Sequence, residues 1–253
     1  MMSKRRSLPP PVVIVAAPRS GTNMLRDLLC EHPELVTWPC DEINAIWRYR
    51  NCSHGTDELT PDHATKEVRA YIRRRFERLS SARGGRTVVE KTCANALRVP
   101  FVDAILPDAK YIHLIRDGRD AAASARRRWS MDESVGYLMR KARYLPLHDA
   151  PFHVGRFLGN RVYRVREKRF KVWGPEFQGL QVLLSNRTLI EVCGEQWRRC
   201  VESASSAFEE IPSDRVLDVR YETFVRDPMN GLREILEFCG LDLEVRCLSL
   251  IHI

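Results

Sequence analysis

The sequence predicts an α/β fold in which a parallel sheet carries helices on both faces. Four short segments that are predicted to be strands support this prediction, and segments with helical periodicity lie between them. Such alternation of strands and helices is typical of α/β proteins. With 253 residues the chain can bury a full core, and we expect one domain over residues 1–253. The predicted strands are Val12–Ala17, Thr87–Thr92, Lys110–Ile115 and Arg215–Glu222.

Composition and charge narrow the class of protein. Apolar residues make up 44% of the chain and charged residues 29%, which is ordinary for a soluble globular protein. The net charge of +8 favours an anionic ligand, an acidic substrate or nucleic acid, and a solvated basic surface is the competing explanation. No run has transmembrane length, and the apolar run after the basic N-terminus is too short for a signal peptide. We therefore expect a cytoplasmic protein without a membrane span.

A tight turn, Pro18–Thr22, connects the first strand to a helix. Backbone N–H groups at a helix N-terminus have no partner within the helix, and with the helix dipole and the Arg19 side chain they predict an anion site. Gly21 lets a ligand approach the main chain closely. An ordinary connection with an incidental arginine is the alternative. The apolar face of the helix is expected to comprise Met24, Leu25, Leu28 and Leu29.

This turn differs from the ATP-type phosphate loop. In that loop a lysine follows the second glycine and a hydroxyl binds Mg²⁺. Here Arg19 precedes Gly21, and Thr22 stands in the place of the lysine, so we expect an anion site that needs no metal. The cysteines form no CxxC pair and no metal-ligand spacing, which predicts buried free thiols. They are Cys30, Cys40, Cys52, Cys93, Cys193, Cys200, Cys239 and Cys247.

A lysine and two carboxylates lie near the ends of predicted elements. Lys91 stands at the C-terminal end of a strand, where α/β proteins place ligands, although a lysine there is often only a capping cation. Asp41 and Glu42 precede an apolar helical turn. Their charge suits a helix N-terminus, and one of them could also act as a general base. The pattern leaves both interpretations open.

A further group combines two arginines with a hydroxyl. Arg116 follows a predicted strand, and Ser124 and Arg128 share one face of a helix predicted over Ala121–Trp129. Two guanidinium groups and a hydroxyl that converge suit a phosphate monoester. A surface network of aspartates and arginines is the alternative. His113, in the middle of a buried strand, is expected to be a core histidine with satisfied hydrogen bonds.

Four more helices are predicted. Residues 57–79 would form one of them, with Thr60 as its cap, Pro61 in its first turn and an apolar face of Val68, Ile72, Phe76 and Leu79. The others are Phe101–Leu106, Leu189–Phe208 and 230–239. An apolar stripe of Leu189–Phe208 comprises Val192, Gln196, Cys200 and Ala204. The basic stretch 137–175 is expected to be a mobile segment that covers the acceptor or the cofactor, and a nucleic-acid patch is the alternative.

Three motifs resemble those of the sulfotransferases that use 3′-phosphoadenosine-5′-phosphosulfate. The sequence APRSGTNML, which begins at Ala17, is similar to the 5′-phosphosulfate loop, most closely to the form found in tyrosylprotein and carbohydrate sulfotransferases. The strand, the RDGR sequence from Arg116 and the following helix resemble the 3′-phosphate motif, with Ser124 and Arg128 in register. RYETFVRDP, from Arg220, resembles a late strand–helix unit. The resemblance spans Val12 to Leu241 and is weakest across 50–85 and 137–190.

The resemblance implies a fold of the P-loop nucleotide-hydrolase type and transfer of a sulfonyl group from 3′-phosphoadenosine-5′-phosphosulfate to an acceptor hydroxyl. Lys91, with Arg19, would stabilise charge on the bridging oxygen. Glu42 would be the general base, and Asp41 remains a candidate because the spacing after His32 is longer than in the family. Small-molecule members carry a histidine base where this chain has Cys93. The donor-binding residues would be Arg19, Ser20, Gly21, Thr22, Asn23, Arg116, Ser124 and Arg128.

Two other functions compete with this one. A P-loop kinase would need Mg²⁺ ligands and a lysine after Gly21. A non-catalytic protein that binds nucleic acid or other polyanions would tolerate loss of Glu42 and show a strong salt dependence. For a sulfotransferase we expect no metal and no nucleic-acid partner beyond the nucleotide donor. The acceptor would carry a hydroxyl, and the basic composition is compatible with an acidic acceptor.

The last residues, Leu248–Ile253, differ in character from the rest. The codons CTG TCT CTT ATA CAC ATC would encode them, and that run is similar to a transposon-type sequencing adapter. We therefore expect residues 248–253 to be a non-native tail on a reading frame truncated at the C-terminus.

Overall fold

A computed structural model describes residues 9–129 and 172–242. Within these ranges five strands form one parallel sheet in the order β2-β3-β1-β4-β5. The predicted parallel sheet is therefore confirmed, and the short edge strand β2 is an addition that the sequence patterns did not indicate. The strands are β1 (Val12–Val15), β2 (Leu35–Val36), β3 (Thr87–Lys91), β4 (Lys110–Ile115) and β5 (Val216–Arg220).

β1 lies at the centre of the sheet, between β3 and β4. Val12 is in register with Val89 on one side and with Lys110 on the other. Alternate side chains of β1 enter two different core clusters, because Val12 and Ile14 pack on one face and Val13 and Val15 on the opposite face. A strand covered on both faces must be apolar at every position, which explains the unbroken apolar run in the sequence.

Helices cover both faces of the sheet, as predicted. On one face α1, α8 and α9 pack against β1, β4 and β5. On the other face α2 to α7 enclose the larger core cluster. The helices are α1 (Thr22–Leu29), α2 (Asn44–Trp47), α3 (Lys66–Ala82), α4 (Val99–Ile105), α5 (Gly118–Trp129), α6 (Leu180–Asn186), α7 (Leu189–Phe208), α8 (Tyr221–Arg226) and α9 (Pro228–Cys239). Short 3₁₀ turns form at Pro61–His63, Cys93–Leu97 and Ser213–Arg215.

The prediction of one helix over residues 57–79 is wrong at its start. Pro61–His63 forms a separate 3₁₀ turn, in which Thr60 and the side chain of His63 cap one another. The main helix α3 begins only after Thr65, whose hydroxyl accepts the Val68 N–H at 3.4 Å. A second cap close to the first therefore decides where the helix begins.

Smaller differences occur elsewhere. α5 begins at Gly118, three residues before the predicted start, and β1 and β5 are shorter than the predicted strands. Met24 is 41% exposed, so the apolar face of α1 consists of Leu25, Leu28 and Leu29 without it. By contrast, α7 has the predicted bounds and buries its predicted stripe.

Several predictions fall outside the described ranges. They concern residues 137–171 of the basic stretch, the tail 248–253 and Cys247. No helix in the two described ranges is long and apolar enough to cross a membrane.

Candidate active site

The turn between β1 and α1 contains two residues in the left-handed region. Arg19 has φ 69° and Gly21 has φ 90°, a conformation that residues other than glycine seldom adopt. Gly21 is the N-cap of α1, and the helix begins at the buried Thr22. Ser20 is fully buried, and its hydroxyl has no hydrogen-bond partner among the residues that the structure describes. The N–H groups of the first helical turn lack partners within the helix.

The predicted arginine cluster comes together beside this turn. Arg116 Nη1 donates to the carbonyl oxygen of Arg19 at 3.0 Å. Arg19 Nε in turn donates to Ser124 Oγ at 3.0 Å. The Arg116 guanidinium stacks 4.3 Å from the centroid of the Tyr221 ring, and its Nε is buried without a partner in the described part of the chain. Arg128 lies 6.0 Å from the Trp173 ring.

Glu42 and Lys91 meet on the opposite side of the turn. Glu42 Oε1 lies 3.4 Å from Lys91 Nζ and accepts the backbone N–H of Cys93 at 3.2 Å. Burial is the largest single influence on the pKa of Lys91 and lowers it, but the charges of Glu42, Cys93 and Asp41 act together against burial, and the pKa is raised. The ammonium group is therefore charged at neutral pH.

Asp41, the alternative base, has different surroundings. Its Oδ1 lies 3.8 Å from Arg26 Nη1, and its side chain is 44% exposed against 25% for Glu42. Arg26 Nη1 also donates to the carbonyl oxygen of Asp41 at 3.3 Å. Glu42, by contrast, contacts both Lys91 Nζ and the backbone N–H of Cys93.

Two other titratable side chains are unsuitable as a base. Burial and then the Glu42 carboxylate raise the pKa of the Cys93 thiol to about 12, so the thiol keeps its proton at neutral pH. His113 is buried within β4, where its Nδ1 pairs with Asp218 Oδ1 at 2.9 Å. Burial lowers the pKa of His113. Its position and partner agree with a core histidine.

A cleft of about 370 Å³ connects the turn, the arginines and the Glu42–Lys91 pair. Its polar lining includes Arg19, Asn23, Glu42, Lys91, Arg116 and Arg128. The Ser20 side chain does not line the cleft, because it is buried beneath the loop. Across residues 9–129 and 172–242, no three His, Cys, Asp or Glu side chains are grouped so that they could hold a metal ion. Asp41 also lines the cleft, so several cations lie beside two carboxylates, those of Asp41 and Glu42.

Comparison of the sequence with family models shows to which family the chain belongs. The model for the sulfotransferase family matches residues 10–159 and 160–245. The chain belongs to the sulfotransferase family. It is therefore an enzyme that transfers a sulfonyl group, and this finding replaces the kinase and the polyanion-binding protein as alternatives. A search of curated protein sequences found no match.

Solved sulfotransferase structures share the fold. A sulfotransferase domain from the curacin biosynthetic pathway has a TM-score of 0.58 and 16% identity, over 96% of this chain and 78% of that one. A domain from the Synechococcus PCC 7002 olefin synthase has a TM-score of 0.53 and 21% identity, over 98% and 79%. A sulfotransferase from Alicyclobacillus acidocaldarius has a TM-score of 0.51 and 18% identity, over 98% and 97%. At these identities the likeness concerns the fold alone.

The sulfotransferase also contains a buried polar network that sequence reasoning missed. Asp57 Oδ1 lies 2.9 Å from Arg48 Nη1 and 3.5 Å from Arg98 Nη1, and all three side chains are buried. Glu90, next to Lys91, is fully buried as well. The available signal was the presence of Asn95 and Arg98 within an otherwise apolar stretch that follows β3.

The same network reaches the wall of the cleft. Asp57 Oδ2 accepts the N–H of Glu176 at 2.9 Å, and the N–H of Asp57 donates to the carbonyl oxygen of Glu176. Gln196 Nε2 donates to the carbonyl oxygens of Trp173 and Pro175. The segment that carries Trp173 is thereby attached both to α7 and to the loop before α3.

Proposed function

We propose that this sulfotransferase takes its sulfonyl group from 3′-phosphoadenosine-5′-phosphosulfate and transfers it to an acceptor hydroxyl, with Glu42 as the general base. The observation that carries the proposal is the pairing of Glu42 with Lys91 in a cleft that also contains Arg19 and Arg116. One carboxylate can take a proton there, while several cations are available to hold an anionic donor.

The donor-binding role of the cleft is supported by its unused hydrogen-bonding capacity. Arg19 Nε donates to Ser124, and the guanidinium group has further N–H donors that can bind an anion. Arg116 lines the cleft, and its Nε is a buried polar atom without a partner in the described residues, a state that usually has an explanation such as a ligand. These groups fit a donor with negative charge at both ends of its nucleotide.

We assign the residues as follows. Arg19 and the backbone N–H groups of Ser20, Gly21, Thr22 and Asn23 would bind the 5′-phosphosulfate, since helix N-termini favour anions. Arg116, Ser124 and Arg128 would bind the 3′-phosphate through charge-assisted hydrogen bonds. The donor supplies the sulfonyl group when it is bound. No metal takes part in this assignment, because cations of the chain neutralise the charge.

Lys91 and Glu42 act at the reacting end of the cleft. An ammonium group has three N–H donors, so Lys91 can contact Glu42 and an anion in the cleft at the same time. Its charge, with that of Arg19, would stabilise negative charge that develops during transfer. Glu42 would accept the proton of the acceptor hydroxyl, within reach of a substrate that enters the cleft. Positioning and charge stabilisation thus account for catalysis.

The acceptor is a hydroxyl-bearing molecule. The cations around the cleft and the net charge of +8 favour an acceptor with acidic groups near the hydroxyl. We expect the enzyme to bind no nucleic acid beyond the nucleotide donor.

Substitution of Glu42 tests the proposal. Glu42→Gln keeps the size of the side chain and removes the base, so we expect turnover to fall by about 10²–10⁴-fold. The affinity for adenosine 3′,5′-bisphosphate, measured by calorimetry, should stay close to that of the wild type because the arginine cluster is intact. Sulfonyl transfer would be measured with an acceptor whose hydroxyl is not already acidic.

Asp41→Asn is the matched control, since Asp41 is the neighbouring carboxylate and contacts Arg26. We expect it to have a much smaller effect on turnover. Near-normal turnover of Glu42→Gln together with an inactive Asp41→Asn would move the role to Asp41. If neither variant were slower, the base would lie elsewhere and the assignment of Glu42 would be wrong.

A further inference from the structure

A buried hydrogen-bond chain lies behind the Glu42–Lys91 pair. Glu90, at the C-terminal end of β3, is fully buried and accepts two hydrogen bonds. One comes from Thr92 Oγ1 at 2.5 Å and the other from Asn95 Nδ2 at 2.8 Å. Thr92 is also fully buried and does not line the cleft. Neither Glu90 nor Thr92 therefore contacts a ligand in the cleft.

This chain reaches the main chain next to Glu42. Thr92 Oγ1 accepts the backbone N–H of Ile43 at 3.2 Å. A hydroxyl has one proton to donate and two lone pairs, so Thr92 can donate to Glu90 and accept the Ile43 N–H at the same time. Because the Thr92 proton points to Glu90, the oxygen lone pairs of Thr92 are free to accept the Ile43 N–H. Glu90 thus fixes the direction of the Thr92 hydroxyl.

The residue after Ile43 is held from the same segment. Asn95 Oδ1 accepts from Arg98 Nε at 3.0 Å, and Arg98 Nη2 donates to Asn44 Oδ1 at 2.6 Å. The two residues that follow Glu42 are therefore both tied to the segment that begins with Lys91. Glu42 itself has little freedom to move away from the Lys91 ammonium.

We propose that Glu90 and Thr92 are positioning residues, which hold the main chain at Ile43 and thereby direct the Glu42 carboxylate towards Lys91 and the cleft. The proposal rests on the proposed role of Glu42 as base. A displacement of about 1 Å of a catalytic group can lower a rate by about 10²-fold, so a hydrogen bond at this place affects turnover although it touches no substrate.

Substitution of Thr92 is the first test. Thr92→Val keeps the branched shape and removes the hydroxyl, and we expect kcat to fall by about 10–100-fold. The KM for the donor and the Kd for adenosine 3′,5′-bisphosphate should stay within about 2-fold, because the lost interaction matters after binding. Thr92→Ser keeps the hydroxyl and should restore most of kcat. That rescue distinguishes positioning from a general loss of structure.

Ser80→Ala is the matched stability control. Ser80 is buried, and its hydroxyl donates to the carbonyl oxygen of Arg86 at 2.6 Å, away from the cleft. Its loss should lower the melting temperature without changing kcat. If Thr92→Val does not fold, Glu90→Gln provides the same test. Its amide can donate to the Thr92 oxygen in place of the Ile43 N–H, and kcat should again fall.

A double variant decides whether Thr92 acts through Glu42. In Glu42→Gln enzyme there is no base to position, so Thr92→Val should cause no further loss of the residual rate. An equal fractional loss in both backgrounds would overturn the positioning role while leaving Glu42 as the base. A kcat within about 2-fold of wild type for folded Thr92→Val would overturn it too. If the single variant Glu42→Gln kept the turnover of the wild type, both the role of Glu42 as base and this proposal would be overturned.

Discussion

Gly21 determines the shape of the loop between β1 and α1. Its φ of 90° is one that a side chain strains, and the space where a Cβ atom would lie is already occupied. That Cβ atom would be 2.5 Å from Cε2 of Tyr221, whose ring also stacks on Arg116. The absence of a side chain at this position therefore allows the loop, the tyrosine and the arginine to pack together.

We expect Gly21→Ala to be destabilising and to weaken donor binding. Left-handed strain and the clash with Tyr221 should together lower the free energy of unfolding by about 1–3 kcal/mol. Denaturant unfolding measures this loss, and calorimetry with adenosine 3′,5′-bisphosphate measures the affinity. Gly55→Ala is the control, because no atom lies within 4 Å of a Cβ there. Equal stability of the two variants would show that the loop tolerates a side chain.

At the residue scale the candidate site was largely predictable. Arg19, Arg116, Ser124 and Arg128 could be assigned because each stands at a fixed place in a strand–turn–helix motif, and the structure brings them together. The sequence gives no such guide to the partners of Asp57. Arg48 and Arg98 lie 9 and 41 residues away along the chain, and Glu176 lies 119 residues away, so the group forms only when distant elements pack together.

The end of β3 combines two charged residues with opposite surroundings. Lys91 reaches the cleft, whereas its neighbour Glu90 points into the protein, as alternation along a strand requires. Burial raises the pKa of Glu90 to about 7, against the hydrogen bond from Thr92 and the nearby charges of Arg98 and Lys91, which lower it. An unfolded glutamate has a pKa of about 4.3.

This difference predicts how stability depends on pH. The folded protein holds the Glu90 proton more tightly than the unfolded chain does. The stability that this tighter proton binding contributes is fully present at pH below about 4.3 and is lost as pH rises to about 7. We therefore expect the free energy of unfolding of Glu90→Gln, relative to that of wild type, to increase as the pH rises from about 5 to about 8. Urea unfolding of both proteins at the two pH values measures this change.

The exposed Glu77→Gln on α3 is the control for that comparison. A Glu90→Gln difference that is constant across the range would contradict the raised pKa of Glu90.

At the scale of elements, apolar periodicity predicted the long helices better than their starts. α7 was predicted with its bounds because one stripe of buried residues runs along its whole length. The start of α3 was predicted nine residues early, since Thr60 and Pro61 do begin a helical turn but that turn is a separate 3₁₀ element. β2 has only two residues, which is too short for any periodic pattern.

At the scale of the whole molecule, a parallel sheet brings distant motifs to one edge. Arg19 follows β1, Lys91 ends β3 and Arg116 follows β4, so all three lie where strands of the same direction end. The alternation of strands and helices predicted this class of fold. The order of the strands could be predicted only by analogy, because pairing depends on contacts between residues far apart in the chain.

Ligand binding should stabilise the whole molecule selectively. A ligand that binds only the folded state at about 100 times its Kd adds about 2.7 kcal/mol, which for a domain of this size corresponds to about 2–4 °C per kcal/mol in melting temperature. We expect adenosine 3′,5′-bisphosphate to give such a shift and 5′-AMP, at the same concentration, a much smaller one. The difference comes from the Arg116, Ser124 and Arg128 cluster.

ATP with Mg²⁺ serves as the comparison ligand in the same thermal experiment. It lacks the 3′-phosphate, so its shift should resemble that of 5′-AMP. Equal shifts for adenosine 3′,5′-bisphosphate and 5′-AMP would remove the 3′-phosphate role from the arginine cluster.

The order of the strands also affects how the protein is made. β4 pairs on one side with β5, and the paired residues His113 and Asp218 are separated by 105 positions along the chain. At a translation rate of about 5–20 residues per second, the ribosome needs about 5–20 s to synthesise the intervening chain. Throughout that interval an apolar strand edge has no partner, and such edges promote aggregation. We therefore expect the yield of soluble protein to depend on chaperones that bind the nascent chain.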